Sequence, residues 1–557
     1  MDFTWKIGGE AGYGISVTGQ IFSRACMRSG AWTYDYSEYP SLIRGGHNTY
    51  QVRVADRDVT SQTHAVHLLV ALDQKSYDRH KDELAADAVV LFDPANVKAP
   101  GGLPLPMSEI VKRHNGQPVM RNMVALAASL ALCGVDFSVL EELIRFSFGK
   151  KGEDVVNHNI DVSKDGYDAV KEHPFAYKVP NATEEKRINI GGNESIAMGA
   201  MKSGCKFFSG YPMTPASEFM HFYAKHERSM NVMMKHTEDE IAGILMAIGA
   251  GHAGVRAMTA TSGGGFALMT EALGMAAMTE TPLVVVVASR PGPSTGLPTW
   301  TEQSDLRFCM HASQGDFPRI ILTPGDHEEC FEAGLQAFNY AEKYQVPVII
   351  LTDKYLGANA RSVHPYKVPE GWTIDRGKLI TDPPADYERY ALTDDGISPR
   401  AVTGSCVFGA FSNEHDTNGD FTEDADMRNK MMEKRDKKLP IMQAEIEGKV
   451  RYYGPADADV TIFSWGSTKG PVLEAMKLGE AIGLKIALVH TCCVLPFPTE
   501  EMRGYLEKAK RPVLIEGNIA AQFGGVIREY TGIEIKDKYL RYDGRPFYPE
   551  QILKWLQ

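Results

Sequence analysis

The chain has 557 residues, a length typical of three or four domains, and its 43% hydrophobic and 23% charged residues are ordinary for a globular protein. A net charge of −12, without a stripe of Lys and Arg interleaved with aromatics, argues against nucleic-acid binding. The longest apolar run, 283–288, is too short to span a membrane, and the N-terminus lacks the basic and apolar regions of a signal peptide.

The eight cysteines form no C-x-x-C pair. The sequence therefore predicts neither a zinc site nor the ligands of an iron–sulfur cluster, and we assign no metal to this chain. Scattered thiols with mostly apolar neighbours are typical of a reducing compartment. We expect a cytoplasmic protein with no membrane or nucleic-acid partner.

Residues 1–180 alternate strand and helix patterns. A strand at 3–8 enters a glycine-rich turn at 8–14, and a helix pattern follows at 16–29. Further strands are predicted at 49–54, 68–72 and 88–92, with a helix at 121–132. This alternation predicts an open α/β sheet. The turn reads G-x-x-G-x-G, which is not the spacing of a dinucleotide site.

A polar connector at 181–187 leads to a second α/β unit at 188–371. Its predicted strands are 257–261, 283–288 and 346–351, and its predicted helices are 240–250 and 266–278. Helices between strands indicate βαβ units with parallel strands.

Residues 372–457 are rich in Asp, Pro, Gly and Asn, and predict a linker or insertion with one surface helix at 427–438. A third, small α/β domain follows at 458–557, with strands at 460–465, 485–489 and 513–516. The predicted fold class is therefore α/β, with three open parallel-sheet domains.

Glu240 opens an apolar helix pattern. Thr237-x-x-Glu240 before an apolar run is the pattern of a capping box, in which both side chains satisfy amides of the first turn. However, the run at 241–251 is apolar nearly all round and rich in small residues, so we expect a buried helix that other backbone approaches closely. A carboxyl at the start of such a helix would be desolvated.

Two loops carry further candidates. Thr214 lies between Pro212 and Pro215, and is either the N-cap of the next helix or a hydroxyl donor to a ligand. Arg290 follows the predicted strand 283–288, at the edge of a parallel sheet where ligands bind and where an arginine can clamp a carboxylate. The alternative is an exposed arginine at a strand–loop junction.

Four stretches together resemble the α subunits of the 2-oxoacid:ferredoxin oxidoreductases, and most closely the 2-oxoglutarate branch (2-oxoglutarate synthase). They are G-Y-P-M-T-P-A-S at 210–217, the helix after Glu240, T-A-T-S-G-G-G at 259–265 and R-P-G-P-S-T-G-L-P-T at 290–299. The resemblance runs through the whole chain. Residues 1–180 are similar to the family's γ domain, 188–371 to its pyrimidine-binding thiamine domain, and 458–557 to a transketolase C-terminal-type domain.

This resemblance implies the oxidative decarboxylation of a 2-oxoacid on thiamine diphosphate, with the acyl group passed to coenzyme A and electrons to ferredoxin, or the reverse carboxylation. It implies that Glu240 activates the aminopyrimidine and that Thr214, Arg290 and Thr299 hold the substrate. The cofactor contacts that it implies are Tyr211, Pro212, Glu240, Ser262 and Gly263.

The half of such a site that grips the diphosphate is missing, since no Gly-Asp-Gly motif occurs in the chain. The resemblance therefore implies a β subunit that carries Mg²⁺, the diphosphate contacts and a [4Fe-4S] cluster, in an (αβ)2 assembly. We expect 2-oxoglutarate as the substrate. Pyruvate, a branched-chain oxoacid or indolepyruvate are alternatives, as is a non-catalytic scaffold subunit.

Arg44, His47 and Asn48 lie beside glycines in the N-terminal segment and could meet the phosphates of coenzyme A. The alternative is packing between domains or subunits.

Overall fold

The computed structural model describes residues 1–42, 45–180, 183, 185–446 and 449–557. The chain divides into two compact units. The first comprises Met1–Ile190, Asn359–Tyr366 and Tyr548–Gln557, and the second comprises Gly191–Ala358 and Lys367–Phe547. None of the helices in the described ranges is long and apolar enough to cross a lipid bilayer.

The strands, numbered in chain order, are β1 (Asp2–Glu10), β2 (Trp32–Glu38), β3 (His47–Ala55), β4 (Val66–Ala71), β5 (Leu84–Phe92), β6 (Leu103–Pro104), β7 (Ile188–Gly191), β8 (Phe207–Gly210), β9 (Met233–His236), β10 (Ala257–Thr261), β11 (Leu283–Ser289), β12 (Ile320–Leu322), β13 (Pro347–Asp353), β14 (Ala360–Val363), β15 (Leu379–Ile380), β16 (Arg400–Ala401), β17 (Val450–Tyr453), β18 (Val460–Trp465), β19 (Ile486–Thr491), β20 (Cys493–Leu495), β21 (Pro512–Glu516) and β22 (Asp537–Leu540).

The α-helices are α1 (Ile15–Arg28), α2 (Gln74–His80), α3 (Met107–Arg113), α4 (Arg121–Leu132), α5 (Phe137–Phe148), α6 (Glu153–Val170), α7 (Gly192–Lys202), α8 (Ser217–Met230), α9 (Glu240–His252), α10 (Gly263–Met278), α11 (Leu306–His311), α12 (His327–Tyr344), α13 (Lys354–Ala358), α14 (Ala425–Asp436), α15 (Lys438–Ile446), α16 (Lys469–Ala481), α17 (Thr499–Lys508), α18 (Gln522–Thr531) and α19 (Pro549–Leu556).

The first unit is built on an eight-stranded sheet with the order β6-β5-β4-β1-β3-β2-β14-β7. The predicted α/β sheet is confirmed, and β1, β4, β5 and β6 are parallel. However, β3 pairs antiparallel with both β1 and β2. The described residues between β2 and β3 contain no helix, and a parallel pair would need such a crossover.

The second unit contains a seven-stranded sheet with the order β20-β12-β13-β11-β10-β8-β9. Its strands are parallel except for the edge strand β20, which pairs antiparallel with β12. Strands β11 and β13 are buried along their whole length, as expected for continuous apolar runs in a sheet that is covered on both faces.

A five-stranded sheet with the order β17-β19-β18-β21-β22 completes the second unit. It is parallel except for its antiparallel edge strand β17. The predicted third parallel sheet is thus present, and β18 begins and ends at the predicted residues.

The segment between these two sheets is not a linker with one surface helix. It carries two consecutive helices, α14 and α15, and the ammonium groups of Lys434 and Lys438 are buried against the carboxylate of Glu280, at 2.5 and 2.6 Å. The charged pattern suggested a solvated face. The pattern could not predict the burial of these lysines, because Glu280, whose carboxylate neutralises them, lies more than 150 residues earlier in the chain.

Candidate active site

The loops that carry the predicted site lie at one edge of the seven-stranded sheet. Strand β8 ends at Gly210, β10 at Thr261 and β11 at Ser289, so that Tyr211, Ser262 and Arg290 each follow a strand end. Because β8, β10 and β11 are adjacent and parallel, these ends meet at the same edge. Open α/β sheets bind their ligands there.

The capping box expected around Glu240 does not form. Asp239 is the N-cap of α9, and its side chain accepts a hydrogen bond from the amide of Ala242 at 2.8 Å. The hydroxyl of Thr237 donates instead to the carbonyl of Asp239 at 2.8 Å. Glu240 is the first helical residue, so its carboxyl has no role in capping.

The Glu240 carboxyl is buried and unsatisfied. The residue is 4% exposed, and its Oε1 has no hydrogen-bond partner among the described residues. A Cβ added at Gly265 would lie 2.7 Å from this oxygen, so the carboxyl reaches across to the first turn of α10. A buried polar group without a partner costs about 1–3 kcal/mol, and a ligand donor would remove that cost.

Six side-chain hydroxyls of the described residues share this condition, and three of them belong to the strands and loops of this site. The side-chain oxygens of Thr259, Ser262 and Thr299 are buried without a partner in the described part of the chain. They belong to β10, to its carboxyl end and to the loop after β11. Buried hydroxyls are normally hydrogen-bonded, so this concentration at one sheet edge indicates a place built for a ligand or a partner.

Arg290 joins two of the predicted loops. Its Nη1 donates to the carbonyl of Thr214 at 2.7 Å, and the side chain is half-buried rather than exposed at a strand–loop junction. Thr214 is not an N-cap, because α8 begins at Ser217 after the N-cap Ala216. A guanidinium has five donors, and this contact leaves others for a carboxylate.

Asp305 and Glu302 are neighbours that sequence reasoning missed. Asp305 accepts a hydrogen bond from the hydroxyl of Ser289 at 2.6 Å, and a Cβ added at Gly263 would lie 2.6 to 2.8 Å from its carboxylate atoms. Burial and the charge of Asp305 raise the pKa of Glu302 to about 7. No pattern distinguishes these acids in the sequence, because only the fold brings Asp305 within reach of the Arg290 charge.

The remaining predicted contacts have different surroundings. Tyr211 and Pro212 are exposed, Gly263 opens α10 and is half-buried, and their contacts with a cofactor stay a prediction.

In the first unit, His47 and Asn48 lie at the start of β3, opposite Glu10 and Gly9 at the end of β1. Arg44 lies outside the described residues.

One side of α9 is apolar and exposed, so the expectation of a helix buried all round is wrong. Ile241, Leu245 and Met246 are 44, 40 and 41% exposed, while Ile244 and Ile248 on the other side are buried. Leu268 of α10 and Met233 of β9 are also exposed, at 52 and 59%. Exposed apolar residues in such number are typical of protein–protein interfaces. We call these five exposed residues the apolar face.

A hydrogen-bonded pair lies behind the 211–216 loop. The amide nitrogen of Asn193 donates to the carbonyl of Pro215 at 3.0 Å and to Glu218 at 2.9 Å, and its Oδ1 has no partner within the described ranges. Burial raises the pKa of Glu218 to about 7, with Glu194 adding to the effect. A protonated Glu218 has the donor that Oδ1 lacks, which would close an acid–amide pair.

Glu218→Gln should flatten the pH dependence of stability. The raised pKa means that the folded chain binds the Glu218 proton more tightly than the unfolded chain does, so wild-type stability falls as pH rises from about 4.5 through 7. The loss by pH 8 is on the order of 3 kcal/mol. Denaturant melts of both proteins from pH 5 to 8 measure it. Glu218→Ala, which removes one of the two hydrogen-bond partners of Asn193, should be destabilised at every pH, and parallel profiles for wild type and Glu218→Gln would contradict the assignment.

Gly265→Ala should disturb Glu240, whereas Gly264→Ala should not. A Cβ at Gly265 would lie 2.1 Å from the hydroxyl of Thr261 and 2.7 Å from Glu240, while one at Gly264 would have only the carbonyl of Ser294 nearby, at 4.0 Å. We expect a loss of roughly 1–3 kcal/mol for Gly265→Ala and no loss for its neighbour, since alanine favours helix. Equal unfolding free energies for the two variants would show that the contact is not tight.

Comparisons with known proteins show the family of the chain. Residues 198–434 match the family model described as pyruvate flavodoxin/ferredoxin oxidoreductase, thiamine diphosphate-binding, and residues 4–169 match that of pyruvate ferredoxin/flavodoxin oxidoreductase. The 2-oxoglutarate oxidoreductase subunit KorA of Mycobacterium tuberculosis is 28% identical, over 93% of this chain and 86% of that protein.

Two further relatives match over nearly the full length of both chains. The solved structure of 2-oxoglutarate:ferredoxin oxidoreductase from Magnetococcus marinus, with 2-oxoglutarate, coenzyme A and succinyl-CoA bound, has a TM-score of 0.91 at 34% identity, covering 100% of this chain and 99% of that one. The 2-oxoacid:ferredoxin oxidoreductase subunit alpha of a Sulfolobus species is 34% identical, over 99% of this chain and 96% of that protein. With relatives this similar along its whole length, the chain belongs to the 2-oxoacid:ferredoxin oxidoreductases, as an α subunit.

Proposed function

We propose that this subunit supplies the pyrimidine half of a thiamine diphosphate site and the clamp for the oxoacid. The assembled enzyme oxidatively decarboxylates 2-oxoglutarate with coenzyme A to succinyl-CoA and CO2 and reduces ferredoxin, or runs the reverse carboxylation. Bound thiamine diphosphate supplies the carbanion chemistry that such a decarboxylation requires.

The buried, unpartnered carboxyl of Glu240 carries this proposal. It has no capping role, and an aminopyrimidine nitrogen is the kind of partner that its Oε1 lacks. Ser262 and Gly263, at the carboxyl end of β10, would contact the same ring, as would Tyr211 and Pro212 of the loop after β8. We assign Glu240 the holding and movement of a proton at that nitrogen.

The oxoacid clamp follows from Arg290 and Thr214. The guanidinium is fixed by its bond to the Thr214 carbonyl and would hold the substrate carboxylate, with the hydroxyls of Thr214 and Thr299 as further donors. Retention of these three residues together with Glu240 argues against a non-catalytic scaffold.

The other half of the site is assigned to a β subunit. This chain has no Gly-Asp-Gly motif for the diphosphate, so the Mg²⁺, the diphosphate contacts and a [4Fe-4S] cluster that passes electrons to ferredoxin would lie on that partner, in an (αβ)2 assembly. The apolar face beside Glu240 is the surface that we assign to it. The eight cysteines are free thiols, which fits a cytoplasmic enzyme.

Leu245→Glu should prevent assembly with the β subunit. A charge in the middle of the apolar face would be desolvated on docking, which costs several kcal/mol. Sedimentation of mixed α and β chains measures the complex. Phe146→Glu, at a 73% exposed position on α5, is the control and should assemble normally. Normal assembly of Leu245→Glu would place the β subunit elsewhere.

We propose the domain bounds predicted from the sequence as functional modules: a γ-type domain at 1–180, the pyrimidine-binding domain at 188–371, an insertion at 372–457 and a transketolase C-terminal-like domain at 458–557. Coenzyme A is assigned to the first of these. The similarity to the Magnetococcus marinus structure, which has coenzyme A bound, supports the co-substrate, and the candidate contacts Arg44, His47 and Asn48 give its place.

The substrate is tested by comparing kcat/KM of the assembled enzyme for 2-oxoglutarate, pyruvate, a branched-chain 2-oxoacid and indolepyruvate. A site that pairs with the second carboxylate of 2-oxoglutarate should prefer it strongly, because a missing partner leaves buried polar groups unpaired. We expect 2-oxoglutarate to be favoured. A higher kcat/KM for one of the monocarboxylates would overturn this choice and leave the reaction class intact.

A further inference from the structure

The strand order of the first unit reverses at β1. The parallel strand β4 lies on one side of β1, while the chain leaving β1 passes through α1 to β2 on the other side. Ligands of open α/β sheets bind outside the carboxyl ends of the strands where the strand order reverses in this way. In this unit, that place lies between the glycine-rich turn after β1 and the segment after β4.

A chain of four polar side chains leads to this edge along one face of the sheet. The ammonium of Lys6 lies 2.5 Å from Glu83 Oε2, Glu83 Oε1 lies 2.9 Å from His80 Nδ1, and His80 Nε2 lies 2.8 Å from His47 Nε2. Lys6 and His80 are buried. His47 Nδ1 ends the chain, buried and without a partner among the residues described.

The proton positions along this chain follow from its fixed end. An ionised carboxylate only accepts hydrogen bonds, so His80 Nδ1 carries a proton and donates to Glu83. The lowered pKa of His47, about 4, leaves its ring neutral with a single proton at neutral pH, and we place that proton on Nε2, in the hydrogen bond to His80 Nε2. The proton between the two Nε2 atoms then belongs to His47, whose Nδ1 is left as a bare acceptor.

The charges around His47 agree with a neutral ring. Burial, His80, Arg79 and Lys75 lower the pKa of His47, against the opposing charge of Asp73, to about 4. Burial would raise the pKa of Glu83, but His80 and Lys6 lower it to about 2. At neutral pH, Glu83 is ionised and His47 is uncharged.

We propose that Glu83 and His80 are positioning residues that fix His47 as a neutral hydrogen-bond acceptor for the pantetheine arm of coenzyme A. This inference rests on the proposed binding of coenzyme A to this unit. The arm has amide, hydroxyl and thiol donors. A phosphate has no proton to offer a bare nitrogen at neutral pH, so this role for His47 differs from the phosphate contact expected from the sequence. The ring is half-buried at the sheet edge, and its Nδ1 is covered in the free chain, so binding of the arm has to uncover it.

Glu83→Gln tests this chain of hydrogen bonds because it should reverse the direction of the bonds between Glu83, His80 and His47. Lys6 would hold the amide oxygen, so the new NH2 group would face His80 Nδ1, and the protons on both histidine rings would shift to their other nitrogens. Nitrogen-15 spectra of the ¹⁵N-histidine-labelled full chain report each ring nitrogen, and His47→Gln identifies the His47 signals. We expect His47 Nδ1 to be unprotonated in the wild type and protonated in Glu83→Gln.

Calorimetry on the assembled enzyme supplies the binding readout. Coenzyme A should bind about 10-fold more weakly to Glu83→Gln and to His47→Gln, the loss of one hydrogen bond, and normally to the exposed control His64→Gln. Adenosine 3′,5′-bisphosphate, which has the phosphates but no pantetheine, should bind all variants alike. A protonated Nδ1 in the wild type, or equal weakening for both ligands, would overturn the inference. None of these measurements involves an oxoacid, so a wrong substrate proposal would leave them unchanged.

Discussion

Glu240→Gln should lower kcat of the assembled enzyme by roughly 10²–10⁴-fold, the usual contribution of a positioned acid–base group. The amide keeps the size of the side chain and loses the proton that the carboxyl holds at the aminopyrimidine. Folding should not suffer, because the carboxyl makes no hydrogen bond in the described chain and Asp239 caps the helix. Coenzyme-A-dependent reduction of ferredoxin measures the rate, and a thermal melt measures the fold.

Two neighbouring substitutions separate chemistry from capping. Asp239→Ala removes the observed cap and should cost about 0.5–2 kcal/mol of stability. Glu238→Gln changes an exposed side chain and should alter neither stability nor rate. A Glu240→Gln enzyme with a near-normal rate but a lowered melting temperature would assign Glu240 a structural role instead.

Arg290→Gln should lower kcat/KM for the oxoacid by about 10- to 150-fold, mainly through KM. A hydrogen bond to a charged group contributes about 1.5–3 kcal/mol, and each 1.4 kcal/mol is a factor of ten. The substitution also frees the Thr214 carbonyl, so the two clamp residues lose their alignment together. Steady-state kinetics over a range of 2-oxoglutarate concentrations separates KM from kcat.

Arg307→Gln is the matched control for that experiment. Arg307 pairs with Glu529 at 2.9 Å near the surface, and such pairs contribute little. We expect its kcat/KM to stay within about twofold of wild type. If Arg290→Gln retains the same kcat/KM as Arg307→Gln, the carboxylate is held by another group.

Parallel strands such as β11 and β13 could be predicted from the sequence because each is a continuous apolar run between turns. Strand β10 and helix α4 begin and end at the predicted residues. The antiparallel edge strands β17 and β20 could not be predicted, because their pairing is set by distant segments rather than by local pattern. The burial of Lys434 in α14 and Lys438 in α15 could not be predicted for the same reason, because their partner Glu280 is distant in the sequence.

Only part of the site could be predicted from the sequence. Thr214, Glu240 and Arg290 stood in motifs, and the structure brings Thr214 and Arg290 into contact. The capping-box reading of Glu240 failed because Asp239, one residue earlier, caps the helix instead. No sequence pattern indicated Asn193 and Glu218, because their pairing, with Asn193 buried and Glu218 half-buried, arises only in the fold.

The requirement for a second chain is tested most directly by turnover with and without a β subunit. The purified chain, given thiamine diphosphate, Mg²⁺, 2-oxoglutarate, coenzyme A and ferredoxin, should reduce no ferredoxin. Adding a β subunit that carries the diphosphate motif and the [4Fe-4S] cluster should restore reduction that depends on coenzyme A. Reduction by the isolated chain at a comparable rate would contradict the assignment of half a site to this subunit.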